Sequence, residues 1–84
     1  MRLILVYDKS ELNEAISKLC ELYNVHLDSF KDKTPKAYKI KRHYGTKKSP
    51  FAVFINAEME IPFYSDNNGF SYEYIKEILN RYAE

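Results

Sequence analysis

The residues able to carry out chemistry in this chain are few, and none stands in a catalytic or metal-binding spacing. Cys20 is the single thiol, and His26 and His43 are the two imidazoles. Zinc sites generally use Cys or His pairs about two to five residues apart, and a reactive thiol lies at a helix start or in an exposed cleft. A glycine-rich phosphate loop is also absent, because Gly45 and Gly69 are the two glycines. We therefore expect no metal, no cofactor and no catalytic residue, hence no enzyme, with Cys20 as a buried, inert thiol.

The strongest positive signal is a basic segment, residues 31–48. It holds eight Lys or Arg residues against one acid, Asp32, although the whole chain carries a net charge of only +1. Such a cluster can contact phosphates or an acidic protein surface, and a solvated helix face is the alternative interpretation. With Tyr44 assigned to the core, too few aromatic residues remain for a platform that stacks single-stranded bases. The candidate basic patch consists of Lys36, Lys39, Lys41, Arg42, His43, Lys47 and Lys48.

Length and composition limit the kind of protein this can be. The chain has 84 residues, enough for one domain spanning 1–84, and its 45% hydrophobic and 30% charged residues are typical of a folded globular chain. Its longest apolar run, residues 3–7, is far shorter than the roughly 20 residues of a membrane span. A single cysteine forms no internal disulfide and fits a reducing compartment. We expect a cytoplasmic protein with no membrane association.

The first half of the sequence predicts a strand, a helix and a second strand. Residues 3–7 form a continuous apolar run, the pattern of a strand covered on both faces. Asp8 and Glu11 have the spacing of a capping box, and apolar residues then recur at helical spacing until about Asn24. Residues 25–28 alternate between apolar and polar types, which predicts a short edge strand. The helix between the two strands implies a parallel, right-handed connection.

The second half predicts a short basic helix followed by a buried strand. Thr34 before Pro35 is typical of a helix start, because the hydroxyl caps the helix and proline suits its first position. Gly45 is a natural stop. Residues 51–55 then form a second continuous apolar run, which predicts another central strand.

The last elements complete an α/β fold. Pro62 lies in the apolar run 61–64, and because proline donates no ladder hydrogen bond this strand belongs at an edge. Ser71 caps a final helix, with Phe70 and Ile75 as a hydrophobic staple. The sequence therefore predicts a four-stranded mixed sheet in the order 2-1-3-4, flanked by three helices.

One motif resembles the thioredoxin fold at glutaredoxin size. Tyr44-Gly45 is followed, after four residues, by Pro50 and an apolar strand, and thioredoxins carry the same pattern. The resemblance implies that Ser49–Pro50 is the family's cis-proline bond. It also implies that the backbone beside this proline faces a groove in which extended peptides or glutathione pair with it.

A second motif is similar to the glutaredoxin stretch Val-Tyr-Ser-Lys-x-x-Cys-x-x-Cys. Val6, Tyr7 and Lys9 match it, but Leu12 and Ala15 stand where the two cysteines belong. Thiol exchange needs a thiolate as the attacking group, and neither residue supplies one. The resemblance therefore implies a thioredoxin-like domain that is redox-inactive.

Three functions follow from these observations. The first is a protein-interaction or assembly module that binds an unidentified protein partner. The second is a degenerate glutathione-binding protein in which the hydroxyl of Tyr7 or Ser10 activates a thiol. The third is nucleic-acid binding through residues 31–48. Candidate groove residues are Tyr7, Leu12, Lys47, Lys48, Ser49, Pro50 and Phe51.

Overall fold

The computed structural model describes residues 1–67 and 69–83. Their elements, in chain order, are β1 (Arg2–Tyr7), α1 (Ser10–Leu22), β2 (His26–Lys31), α2 (Pro35–His43), β3 (Phe51–Ile55), β4 (Glu60–Tyr64) and α3 (Tyr72–Tyr82). A short 3-10 helix, Ser65–Asn67, follows β4. In this part of the chain no helix has both the length and the apolar character that crossing a membrane requires.

The strands form one mixed sheet in the order β2-β1-β3-β4. β1 pairs in parallel with β2 through the α1 connection, and β3 runs antiparallel to both β1 and β4. Leu5 at the centre of β1 lies opposite Ser29 of β2 and Ala52 of β3. The predicted α/β architecture, with its strand order 2-1-3-4 and three helices, is confirmed.

The sheet has a hydrophobic core on each face, which explains the two continuous apolar strands. Leu5 and Phe54 point to the face covered by α1 and α3, whereas Val6 and Val53 point to the face covered by α2. Successive residues of a strand alternate between faces, so a strand covered on both sides needs an apolar residue at every position. Burying each large side chain contributes about 1.5–3 kcal/mol.

The predicted starts of α2 and α3 are confirmed by their capping contacts. The Thr34 hydroxyl accepts a hydrogen bond from the Ala37 N–H at 3.4 Å, and the Ser71 hydroxyl accepts one from the Tyr74 N–H at 3.3 Å. After α2 the chain turns at Gly45, whose φ of +75° lies in the region that favours glycine.

The predicted start of α1 is wrong. Asp8 was expected to cap this helix, but Lys9 occupies the N-cap position and makes no side-chain capping hydrogen bond. The reason is that β1 remains paired with β2 up to the pair Tyr7 and Lys31, and the Asp32 N–H donates to the Tyr7 carbonyl at 2.8 Å. The same pairing extends β2 to Lys31, beyond the predicted end at residue 28.

Candidate functional site

The loop between α2 and β3 gathers four of the predicted groove residues. Lys47 and Lys48 are exposed and Ser49 and Pro50 are half-buried; these four residues are called the 47–50 loop. The Ser49–Pro50 peptide bond is cis, as the resemblance implies. The Pro50 carbonyl accepts a hydrogen bond from the Ser65 hydroxyl, so the end of the loop is tied to the segment after β4.

Ser49 leaves its main-chain polar groups free. Neither its N–H nor its C=O forms a hydrogen bond with residues 1–67 or 69–83. Backbone groups removed from water are nearly always paired in proteins. A half-buried residue with both groups free is therefore well suited to pairing with the backbone of another chain.

A buried lysine supports this loop from below. The Lys41 side chain is only 6% exposed, and its Nζ donates to Asp32 Oδ1 at 2.7 Å, to Ser49 Oγ at 3.1 Å and to the Lys47 carbonyl at 3.4 Å. Lys41, Asp32 and Ser49 are called the Lys41 network. Because an ammonium has three donors, all of its hydrogen-bonding capacity is used. The network connects α2, the end of β2 and the 47–50 loop.

Asp32 is held as a carboxylate inside this network. Burial by itself raises the pKa of Asp32, but hydrogen bonds from the Lys41 ammonium, the Ser49 hydroxyl and the Lys33 N–H outweigh it and lower that pKa below its usual 3.8. The Ser49 hydroxyl thus lies between a paired cation and a paired anion. It does not lie beside a free base, which nucleophilic catalysis by serine requires.

This pKa shift predicts how acid destabilises the fold. Because the folded-state pKa of Asp32 is lowered, its contribution to the free energy of unfolding is full above about pH 4 and disappears as the pH falls through the folded-state value. We expect Asp32→Asn to be less stable than the wild type at neutral pH and to lose less stability between about pH 5 and 2. Urea unfolding at a series of pH values measures both quantities. Parallel pH profiles would contradict the assignment.

The prediction that Lys41 belongs to an exposed basic patch is wrong. Lys41 stands four residues after the buried Ala37, so it lies on the flank of α2 that faces the sheet. The remaining patch residues are exposed, namely Lys36, Lys39, Arg42, His43, Lys47 and Lys48. Since Lys41 pairs with the single acid of residues 31–48, the other seven Lys and Arg residues of that segment have no ion-pair partner within the part of the chain described.

The prediction that Phe51 contacts a ligand in the groove is also wrong. Its side chain is fully buried beneath α2, with its ring 5.4 Å from that of Tyr44 and 5.3 Å from that of Tyr64. Tyr7 and Leu12 are half-buried and pack against the core on the opposite face, under α1 and α3. The structure therefore keeps the 47–50 loop together, while the side chains of Phe51, Tyr7 and Leu12 pack into the cores. The pairing of Val6 with Phe51 nevertheless brings the Tyr7 backbone to the start of β3.

Tyr44 forms hydrogen bonds that connect the end of α2 to β4. The Tyr64 hydroxyl donates to the Tyr44 carbonyl at 2.8 Å, and the Tyr44 hydroxyl donates to Glu60 Oε1 at 2.7 Å. Burial and the neighbouring Glu60 carboxylate raise the pKa of Tyr44 to about 12. This tyrosine remains neutral and structural, and it joins the end of α2 to β4.

Several residues that organise the site were not assigned from the sequence. Asp32 is one of them, and Thr46, whose buried hydroxyl hydrogen-bonds Asp66 Oδ1 at 3.2 Å, is another. A signal existed for Asp32, because it is the one acid among eight basic residues. The Thr46 contact spans a separation of twenty residues, and no local spacing indicates it.

Cys20 is buried, as predicted, and lies far from the loop in sequence and on the opposite side of the sheet. Burial raises the pKa of the Cys20 thiol to about 11 because it disfavours the thiolate.

We expect iodoacetamide at about pH 8 to alkylate Cys20 at least about 100-fold more slowly in the native protein than in urea. Mass spectrometry measures both rates. Equal rates would mean that the thiol is accessible.

The two histidines lie apart from each other and each contacts a different neighbour. His26 Nε2 lies 3.0 Å from Asp28 Oδ1 on the exposed side of β2, and His43 packs edge-on against Tyr44. In residues 1–67 and 69–83, no group of three His, Cys, Asp or Glu side chains is placed to hold a metal ion. The 47–50 loop and the cations around it are therefore the best-defined candidate site.

Comparison of the chain with known protein families, with curated proteins and with solved structures finds no match.

Proposed function

We propose that this chain is a thioredoxin-like domain that has no redox cysteine pair and acts as a protein-interaction or assembly module. The strand order, the placement of α1 and α3 on one face and α2 on the other, and the position of Pro50 before β3 are compatible with that fold. Leu12 and Ala15 in α1 carry no thiol, and Cys20 is buried in the core. This arrangement supports binding of a partner protein and does not support thiol exchange.

The observation that carries the proposal is the free backbone of Ser49 in a supported loop. An extended peptide gains main-chain hydrogen bonds by pairing with such a segment, and the flanking side chains then give specificity. The Lys41 network fixes the loop from inside through Ser49 Oγ and the Lys47 carbonyl. A loop that is already ordered loses less conformational entropy on binding. Lys48 is exposed beside the pairing groups and favours an acidic partner.

Affinity capture from the native source tests this proposal. The bait is the full chain with a tag, compared with Lys48→Glu at the loop and with Lys18→Glu, a matched charge reversal at an exposed position of α1. We expect the wild type and Lys18→Glu to retain the same specific protein and Lys48→Glu to lose it. Capture of the same proteins by all three baits would contradict a role for the loop.

Two solution assays separate the proposal from thiol chemistry. We expect no turnover in disulfide reduction with insulin as substrate, because no thiolate is available at the start of α1. Calorimetric titration with glutathione is expected to give no binding heat in the millimolar range. Reductase turnover, or saturable glutathione binding, would replace the interaction module with the glutathione-binding alternative.

The seven uncompensated cations favour nucleic-acid binding as a second candidate. They surround α2 and continue into the 47–50 loop, and phosphate contacts by such residues are strongly salt-dependent. Tyr38 is the large aromatic side chain exposed on α2, whereas single-strand binding sites usually stack several bases. Retardation of a single-stranded oligonucleotide at low salt that disappears as salt is raised would support this candidate.

A further inference from the structure

A cleft lies between the C-terminal half of α2 and the start of the connection to β3. Its volume is about 510 Å³, within the roughly 300–1,000 Å³ of typical ligand pockets. It is lined by Tyr38, Lys41, Arg42, Gly45, Thr46 and Lys47. Lys47 also belongs to the 47–50 loop, so the cleft adjoins the proposed pairing segment.

The rim of the cleft carries two cations and none of its lining residues is acidic, although Asp66 lies next to it as the acceptor of the Thr46 hydroxyl. Arg42 and Lys47 are exposed, and neither forms an ion pair with the residues that the structure describes. Lys41 adds no net charge, because it is paired with Asp32 at 2.7 Å. Two cations on the rim are thus available to a ligand, and the planar guanidinium of Arg42 is suited to a carboxylate.

The rest of the cleft suits an apolar group. The Tyr38 side chain is 52% exposed, and its ring lies 5.5 Å from Lys41 Nζ. Gly45 contributes no side chain, and a Cβ built on it meets nothing within 4 Å, so the cleft is open there. Arg42 follows Tyr38 by four residues on α2, so an aromatic or aliphatic side chain packed on Tyr38 would lie beside Arg42.

The helices α1 and α3 of a second copy of this chain do not supply a continuous acidic surface. The acidic side chains of α1 and α3 are interleaved with Lys18, Lys76 and Arg81, and Glu77 already pairs with Arg81 at 3.3 Å. A nucleic acid matches the charge, but a cleft with a single exposed aromatic ring does not form a track for consecutive bases. An acidic polypeptide can pair its carboxylates with the two cations and pack an apolar side chain against the wall of the cleft.

We infer that the cleft binds an acidic segment of a partner protein. A carboxylate of that segment pairs with Arg42 and Lys47, and an adjacent aromatic or aliphatic side chain packs on Tyr38. This inference rests on the proposed interaction function, and it adds the chemistry of the partner. The partner's chain continues from the cleft along the 47–50 loop, where Ser49 pairs with its backbone.

Fluorescence anisotropy with defined probes tests the inference. The probe is a fluorescein-labelled peptide of alternating glutamate and tyrosine, with the glutamine–tyrosine analogue and an oligouridylate as comparison probes. We expect Arg42→Gln and Tyr38→Ala each to weaken binding of the acidic peptide by about tenfold, since each removes one buried or charge-assisted contact. Lys18→Gln, a change at an exposed position of α1 outside the basic patch, is expected to weaken it by less than about twofold.

Several results of the anisotropy experiment would contradict the inference. Equal binding of the glutamine analogue, equal loss in all three variants, or tighter binding of the oligouridylate would overturn the inference. Affinity capture distinguishes this failure from failure of the proposed function. If Lys48→Glu abolishes capture of the partner while Arg42→Gln and Tyr38→Ala do not, the interaction module stands and the cleft is not its contact site. If no variant alters the captured proteins yet the peptide binds in the cleft, the proposed function fails instead.

Discussion

Replacing Lys41 with methionine is expected to lower the free energy of unfolding by about 2–4 kcal/mol and the Tm by about 10–20 °C. The change leaves the Asp32 carboxylate largely buried without its cation and removes the donor to Ser49 and to the Lys47 carbonyl. The penalty lies toward the lower end for buried ion pairs, because the Asp32 side chain is still 18% exposed. Chemical denaturation with circular dichroism measures it.

Matched variants identify the cause of this effect. Lys39→Met makes the same chemical change at an exposed position of α2, and we expect it to alter stability by less than about 0.5 kcal/mol. Adding Asp32→Asn to Lys41→Met should recover part of the loss, because no unpaired carboxylate remains. If Lys41→Met and Lys39→Met are equally stable, the buried network does not support the fold.

Replacing Phe51 with alanine is expected to cost about 3–5 kcal/mol, the range for removing a buried aromatic side chain. Phe51 is fully buried and contacts the rings of Tyr44 and Tyr64. A domain of this size has a total stability of only about 4–13 kcal/mol, so a substantial part of it would be lost. The midpoint of guanidinium denaturation measures the change.

Phe51→Leu separates packing from recognition. It keeps much of the buried volume, so we expect a smaller loss of stability and an unchanged affinity for the acidic peptide. A Phe51→Leu protein that remains folded but no longer binds the acidic peptide would show that Phe51 contributes to the binding surface, although its side chain is buried in the structure.

The core of the fold was predictable because burial on both faces imposes a simple pattern. The runs 3–7 and 51–55 are apolar at every position, which identifies β1 and β3 as central. Thr34 and Pro35 identify the start of α2, because their roles at a helix N-terminus are local. The edge position of β4 follows from Pro62, which is exposed.

The errors arose where a distant contact overrides a local rule. Lysine is almost never fully buried unless it is paired, and the pairing of Lys41 depends on β2 ending beside α2. The same long-range pairing of β1 with β2 displaced the start of α1 from Asp8. Phe51 was assignable to the core from strand alternation, since Val53, two residues later, has the same orientation.

Photocrosslinking tests the central claim most directly, because it reports which surface meets a partner. A benzophenone amino acid is introduced at position 48 in the 47–50 loop or, as a control, at position 18 in α1, and the full chain is irradiated in its native source. We expect one specific protein adduct from position 48 and none from position 18. Equal labelling from both positions, or adducts only with nucleic acid, would contradict it.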